Sequence, residues 1–207
     1  YGGNNENRLR QEMILGVGGI RAMEKMKLKP RIYHCNEGHA AFIGLERLRK
    51  YIDNKNFTFS ESVEIVRSST LFTTHTPVPA GHDSFSEDLI RTYMGHYPAR
   101  LKISWDEFMA LGKLNIKDFT ENFSMSHLAI NLSQEVNGVS WLHGEVTKDM
   151  FINMFPGYYP EELHISYVTN GVHYPSWTAP DFQKLYNRVF GDDFVNNQNE
   201  RERFEKI

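Results

Sequence analysis

The chain has 207 residues, 40% of them hydrophobic and 24% charged, which supports a sizeable core and excludes disordered, collagen-like and coiled-coil classes. Its 23 basic and 26 acidic residues leave a net charge of −3, so neither a basic nucleic-acid face nor a polyanion site is signalled. A single cysteine, Cys35, excludes a disulfide scaffold and a four-cysteine zinc site and points to a reducing compartment.

In chain order, Leu9, Met13, Val17, Ile20 and Met23 recur at helical spacing. Gly16, Gly18 and Gly19 interrupt this helix at about 1 kcal/mol each relative to Ala, so close backbone packing is expected to compensate them. The longest apolar run, 13–20, is too short and glycine-rich to span a membrane. Segment 31–35 reads as a strand, 40–50 and 62–67 as helices, and the β-rich run 69–74 as a buried strand. Helices are expected over 86–93 and 105–111. Another is marked by Met125, Leu128, Ala129, Leu132 and Val136, with Ser124 as its N-cap and Asn137-Gly138 as its stop. Segment 143–155 reads as a further helix and 163–168 as a third strand. Strands alternating with helices predict an α/β fold, a parallel sheet flanked by helices. The opening Tyr1-Gly2-Gly3-Asn4-Asn5 is no signal peptide, and the uncapped helical run 200–207 closes the chain. An interior piece of a longer protein is expected. Without repeats or a low-complexity linker, 1–207 is read as a single domain.

Each expected strand runs into a dense polar segment: His34 to His39, Thr74 to Asp83 and Thr169 to His173. Ligands of open parallel sheets bind outside the carboxyl ends of the strands, so parallel neighbours would bring the three segments into one crevice. Five of the nine histidines fall there. Each segment also has a plainer reading: a helix start at Asn36-Glu37-Gly38, a stiff connector at 77–81 and a turn at Asn170-Gly171. His34, Glu37, His39, His75, His82 and Asp83 include the residue types of a two-histidine, one-carboxylate metal site, but their spacing matches no metal motif, and no metal is expected. Gly16-x-Gly18-Gly19 lacks the strand that a dinucleotide fingerprint needs. Cys35 is more simply a small buried residue than a nucleophile.

The ordered motifs carry a resemblance. Tyr1-Gly2-Gly3 with Arg8-Leu9-Arg10-Gln11-Glu12, Asn36 to Phe42 (NEGHAAF), Thr74 to Asp83 (THTPVPAGHD), Asn137 to Ser140 with Leu142 to Val146, and Thr169 to His173 with Trp177 run through nearly the whole chain. In this set the chain resembles the α-glucan (glycogen, starch or maltodextrin) phosphorylases, especially their shorter bacterial and archaeal form. The resemblance implies part of the N-terminal, Rossmann-like half of a GT-B glycosyltransferase. Such an enzyme cleaves terminal α-1,4-glucosyl units with inorganic phosphate, giving glucose 1-phosphate with retention. It also implies pyridoxal phosphate, held by a C-terminal half outside this chain, so that no cofactor-binding residue is expected here and the isolated chain is expected to be inactive.

By position, His75 resembles the family's glucose-pocket histidine, its imidazole on the sugar 6-hydroxyl and its backbone carbonyl facing the developing oxocarbenium. Thr76 beside it is carried over as a substrate contact. Asn36, Glu37 and His39 resemble the cluster on the β-side of the sugar. The stretch 1–7 resembles the gating loop, in which Asn4 or Asn5 touches glucose, and Asn170 resembles a pocket-floor residue. The implied partners are an α-1,4-glucan and inorganic phosphate, with no nucleic acid or membrane, in the cytoplasm, and with a homo-oligomer compatible. Two other readings stay open: a glycogen- or starch-synthase-like GT-B transferase, and a non-catalytic carbohydrate-binding α/β domain.

Overall fold

In the computed structural model, which describes residues 3–78 and 81–196, helix α1 (Asn5–Met13) starts where Asn4 caps it. The Asn4 side-chain oxygen accepts the Asn7 N–H at 2.9 Å, meeting a demand that every helix start makes. A π-helical turn, Ile14–Gly18, separates α1 from α2 (Gly19–Lys25). The spacing had predicted one continuous helix; the wider turn lets the adjacent Gly16 and Val17 both face the core. The expected close packing holds at Gly16, where a Cβ would lie 2.7 Å from Phe42 Cβ and 2.9 Å from the Ile43 nitrogen. It fails at Gly19, which has nothing within 4 Å, and at Gly18, whose nearest neighbour is 3.9 Å away.

Strand β1 (Tyr33–Asn36) leads through a 3₁₀ turn (Gly38–Ala40) into α3 (Phe42–Lys55). Helix α4 (Phe59–Arg67) opens on a capping box in which Thr58 and Glu61 satisfy each other's backbone, and strand β2 (Thr70–Thr73) follows. A two-residue strand β3 (Ser84–Phe85) pairs antiparallel with β4 (Phe123–Ser124). Between them lie α5 (Glu87–Met94), α6 (Tyr97–Leu101) and α7 (Trp105–Met109). Then come α8 (Met125–Asn131), β5 (Glu135–Gly138), α9 (Trp141–Phe151) and β6 (Ile165–Tyr167).

The main sheet is parallel throughout, in the order β1-β2-β5-β6, which bears out the α/β reading. It also corrects one element. The expected helix through Val136 ends at Asn131, and Glu135–Gly138 is a strand lying between β2 and the predicted third strand. The apolar spacing suits a helix, but Gln134 N–H donates to the carbonyls of Arg67 and Thr70 and starts the ladder to β2. Long-range pairing overrides local periodicity here. Ser124 caps α8 as expected, accepting the His127 N–H.

Cys35, Phe72 and Val136 alternate onto one buried face of the sheet, and the core continues through Leu9, Phe42 and Leu45 on the helices. Glu46 is fully buried in α3. It accepts hydrogen bonds from Arg21, Arg49 and Tyr97. Burial alone would raise its pKa, and these donors, led by Arg49, hold it down at about 2.

The chain divides into two compact units, the first ending at Thr169 and the second starting at Asn170. The second contains α10 (Tyr174–Trp177) and α11 (Pro180–Phe190), with Tyr174, Tyr186, Phe190 and Phe194 in mutual ring contact. Among the described residues no helix is long and apolar enough to cross a membrane.

Candidate functional site

Strands β1 and β2 are parallel neighbours with Asn36 opposite Thr73, so the segments that follow them emerge side by side at the carboxyl edge of the sheet. The chain turns sharply at Glu37, which takes φ 64° and ψ 167°, a region populated essentially by glycine and costing about 1–3 kcal/mol for other residues. This turn is anchored by Glu37 N–H donating to the Thr73 carbonyl at 2.9 Å. Gly38, next along, packs so closely that a Cβ would sit 3.0 Å from the Ser126 nitrogen.

The strained turn aims the Glu37 carboxylate at the neighbouring segment. Its Oε1 accepts the His75 backbone N–H at 2.5 Å and the Thr76 hydroxyl at 3.2 Å. The His75 ring is held as well, Nε2 donating to Asn36 Oδ1 at 2.7 Å. With the proton on Nε2, Nδ1 is left as a lone-pair acceptor on an exposed residue. Asn36, Glu37, His75 and Thr76 are thus brought together. His39 sits on the 3₁₀ turn, where burial, and then the charge of Arg8, hold its pKa below the ordinary value.

The other expected residues fall differently. Asn4 spends its side-chain oxygen as the α1 cap, and Asn5 is the first residue of that helix. From Asn5 onward the expected gating loop is therefore helical, while Tyr1 and Gly2 lie outside the described residues, as do Pro79 and Ala80 of the second polar segment. Asn170 opens the second compact unit. There Asn170, Gly171 and His173 line a recess with Pro175, Val195 and Asn196. Cys35 is buried, and burial pushes its thiol up to about 11, which leaves almost no thiolate at neutral pH. Among the described residues no group of three His, Cys, Asp or Glu side chains could hold a metal ion.

Three supports of the site join residues whose pairing the sequence does not reveal. His82 bridges the second segment to α8, its Nδ1 accepting from Ser126 Oγ at 2.7 Å and its Nε2 donating to the Thr76 carbonyl at 3.1 Å. Behind the site, His34 Nε2 donates to Thr73 Oγ1 at 2.7 Å, and that hydroxyl donates to Asn137 Oδ1 at 2.7 Å. Arg8 on α1 grips Asp83 with both carboxylate oxygens engaged, at 3.1 and 2.6 Å. His34, His82 and Asp83 stood out as members of the polar segments, whereas Asn137, read as part of a helix stop, proves to lie at a strand end.

A rigid, hydrogen-bonded rim of Asn, Glu, His and Thr at the carboxyl edge of a parallel α/β sheet suits a polyhydroxylated ligand. The family model for carbohydrate phosphorylases matches residues 20–207, and the chain belongs to that family. It is 42% identical over 205 residues to a glycogen phosphorylase of Mycobacterium tuberculosis, covering 93% of this chain and 23% of that protein. It is 37% identical over 191 residues to a maltodextrin phosphorylase of Thermococcus litoralis (92% and 22% covered). A glycogen phosphorylase of Aquifex aeolicus is 31% identical over 207 residues (100% and 29% covered). The chain spans about a quarter of the length of these relatives.

Proposed function

We propose that this chain supplies the glucosyl-binding rim of an α-1,4-glucan phosphorylase, in which terminal α-1,4-glucosyl units are cleaved by inorganic phosphate to glucose 1-phosphate with retention. The observation that carries the reading is the double fixation of His75, by Glu37 at its backbone N–H and by Asn36 at Nε2. Both bonds position the ring without consuming Nδ1, which accepts the 6-hydroxyl of the sugar. The His75 carbonyl lies one residue unit from a clamped amide and is set to face the positive charge that develops at the anomeric carbon. A dipole held in place before the reaction stabilises such charge at no reorganisation cost. Asn36, Glu37, His39 and Thr76 bound the sugar on the side of the first two strands, and Asn4 or Asn5 adds a contact from the start of α1; Asn170 is a separate candidate sugar contact on the second unit.

Pyridoxal phosphate is the cofactor that the resemblance assigns to the whole enzyme, and the residues here do not fit it. Its aldehyde needs a lysine amine in a pocket. The buried lysine among the described residues, Lys113, already donates to the Asp118 carbonyl at 2.7 Å and lies 3.9 Å from Glu87. In this reading the cofactor and the substrate phosphate are held by other parts of the enzyme, and the enzyme works in the cytoplasm. Maltodextrin and inorganic phosphate added to the full-length protein should yield glucose 1-phosphate. Glucan elongation from a nucleotide sugar without phosphate would instead indicate a synthase, and binding without turnover a carbohydrate-binding module; either result refutes the proposal.

A further inference from the structure

Two glutamates of the first unit are completely buried, and they are treated in opposite ways. Glu46 has three donors. Glu12, on α1, has no aligned donor for either carboxylate oxygen. Arg8 Nε lies 3.0 Å from Glu12 Oε1, but the same nitrogen points its hydrogen at Asp83 Oδ1, so the contact with Glu12 is a charge contact rather than a hydrogen bond. Asp83 Oδ1 lies 3.1 Å from the same Arg8 Nε that lies 3.0 Å from Glu12 Oε1, so one nitrogen brings the two carboxyls together.

Two carboxylates therefore share one guanidinium. If both were ionised the cluster would carry a net negative charge out of water, which is costly unless a proton is taken up. Asp83 is the better anion, because Arg8 grips both of its oxygens and its side chain is 26% exposed, against 0% for Glu12. His39 is held below its usual pKa by burial and by Arg8, so it brings no second cation at neutral pH, and Glu37 is a further acid. Burial first, then the Asp83 charge, push the Glu12 carboxyl from the ordinary 4.5 up to about 8.

We propose that Glu12 is a positioning residue that acts in its protonated form, its carboxylic O–H donating to Asp83 so that, with Arg8, it fastens the 74–83 segment to α1. A carboxylate that already accepts two N–H bonds has lone pairs left for this third one. The fastening joins the two stretches that carry proposed sugar contacts, Asn4 or Asn5 at the start of α1 and His75 on the segment after β2. When Glu12 loses its proton to solvent, two anions face one cation and the segment that carries His75 loosens. The consequence for turnover rests on the proposed function of the site; the protonation state of Glu12 does not.

The test therefore has two independent arms. In the chain labelled with ¹³C at its glutamate carboxyls, one resonance should titrate near pH 8 and should vanish in Glu12→Gln, which keeps a neutral donor but cannot ionise. The raised folded pKa means that the stabilisation is complete below about pH 4.5 and is lost as pH climbs to about 8. Thermal stability of the wild type should thus fall across that window relative to Glu12→Gln. In the full-length enzyme, Glu12→Gln should keep wild-type kcat at pH 6.5 and lose the alkaline fall in kcat centred near pH 8, whereas Glu12→Ala should lose activity at both pH values. A wild-type chain with every glutamate titrating in the ordinary range, or identical pH profiles for wild type and Glu12→Gln, overturns the proposal. Failure to form glucose 1-phosphate at any pH would refute the proposed function alone and leave the titration arm standing.

Discussion

Glu37 combines a glycine-like backbone with a carboxylate that holds the neighbouring segment, and substitutions can separate the two. In Glu37→Ala the backbone strain remains while the bonds to His75 N–H at 2.5 Å and Thr76 Oγ1 at 3.2 Å disappear. Hydrogen bonds to charged groups contribute about 1.5–3 kcal/mol. His75 is exposed, so water partly replaces the lost acceptor, and a loss of about 1–2 kcal/mol is expected. Glu37→Gly loses the same bonds and relieves about 1–3 kcal/mol of backbone strain. Glycine should therefore unfold at a clearly higher urea concentration than alanine, and within about 1 kcal/mol of wild type. If the full-length protein has the proposed phosphorolytic activity, both variants should lose most of it, since His75 is no longer clamped. Equal stability of the two variants would show that the Glu37 turn stores no strain. Near-normal turnover in Glu37→Gly would show that the clamp is irrelevant to the site.

Replacing His75 by Ala in the full-length enzyme should leave the melting temperature nearly unchanged and lower kcat about 10²–10³-fold, the typical loss for one preorganised transition-state contact; a lowered melting temperature with normal kcat would mark His75 as merely structural. At Gly16, an added Cβ meets Phe42 and the Ile43 backbone, so Gly16→Ala should cost about 1–3 kcal/mol in urea titration. Gly19→Ala, with open space around it and helical backbone angles, should gain up to about 1 kcal/mol, and losses at both positions would contradict the packing described. Cys35, with its thiol at about 11, should resist a thiol-selective disulfide reagent at pH 8 until the chain is unfolded; rapid reaction in the folded chain would disprove its burial.

The parallel α/β fold was legible because the runs at 31–35, 69–74 and 163–168 have too few residues for helices and are separated by segments of helical periodicity. Strand β5 was not, because Met125, Leu128, Ala129, Leu132 and Val136 satisfy the helical period while the decision rests on pairing with β2, far away in sequence. The site shows the same division. Asn36, Glu37, His75 and Thr76 stood out as polar residues at strand ends, where a sheet presents its ligands. The Arg8–Asp83 grip spans 75 positions, and charges on the first turns of a helix look like any solvated face until the tertiary fold buries them. The backbone of Glu37 was equally invisible, since nothing in Asn36-Glu37-Gly38 says which residue takes the glycine-like angles.

The chain of bonds from His34 through Thr73 to Asn137 crosses three strands that are only four residues long each. Strands this short have few rungs, and a shift by one residue would turn every side chain to the opposite face of the sheet. Thr73 then works as a ruler. Its hydroxyl can accept from the first strand and donate to the third in only one alignment, and any slipped pairing leaves at least two polar groups buried and unmet, at about 1–3 kcal/mol each. The polar row thus makes misaligned strands costly before any ligand is bound, and the stiffness of the rim is inherited from the device that sets the alignment of the strands.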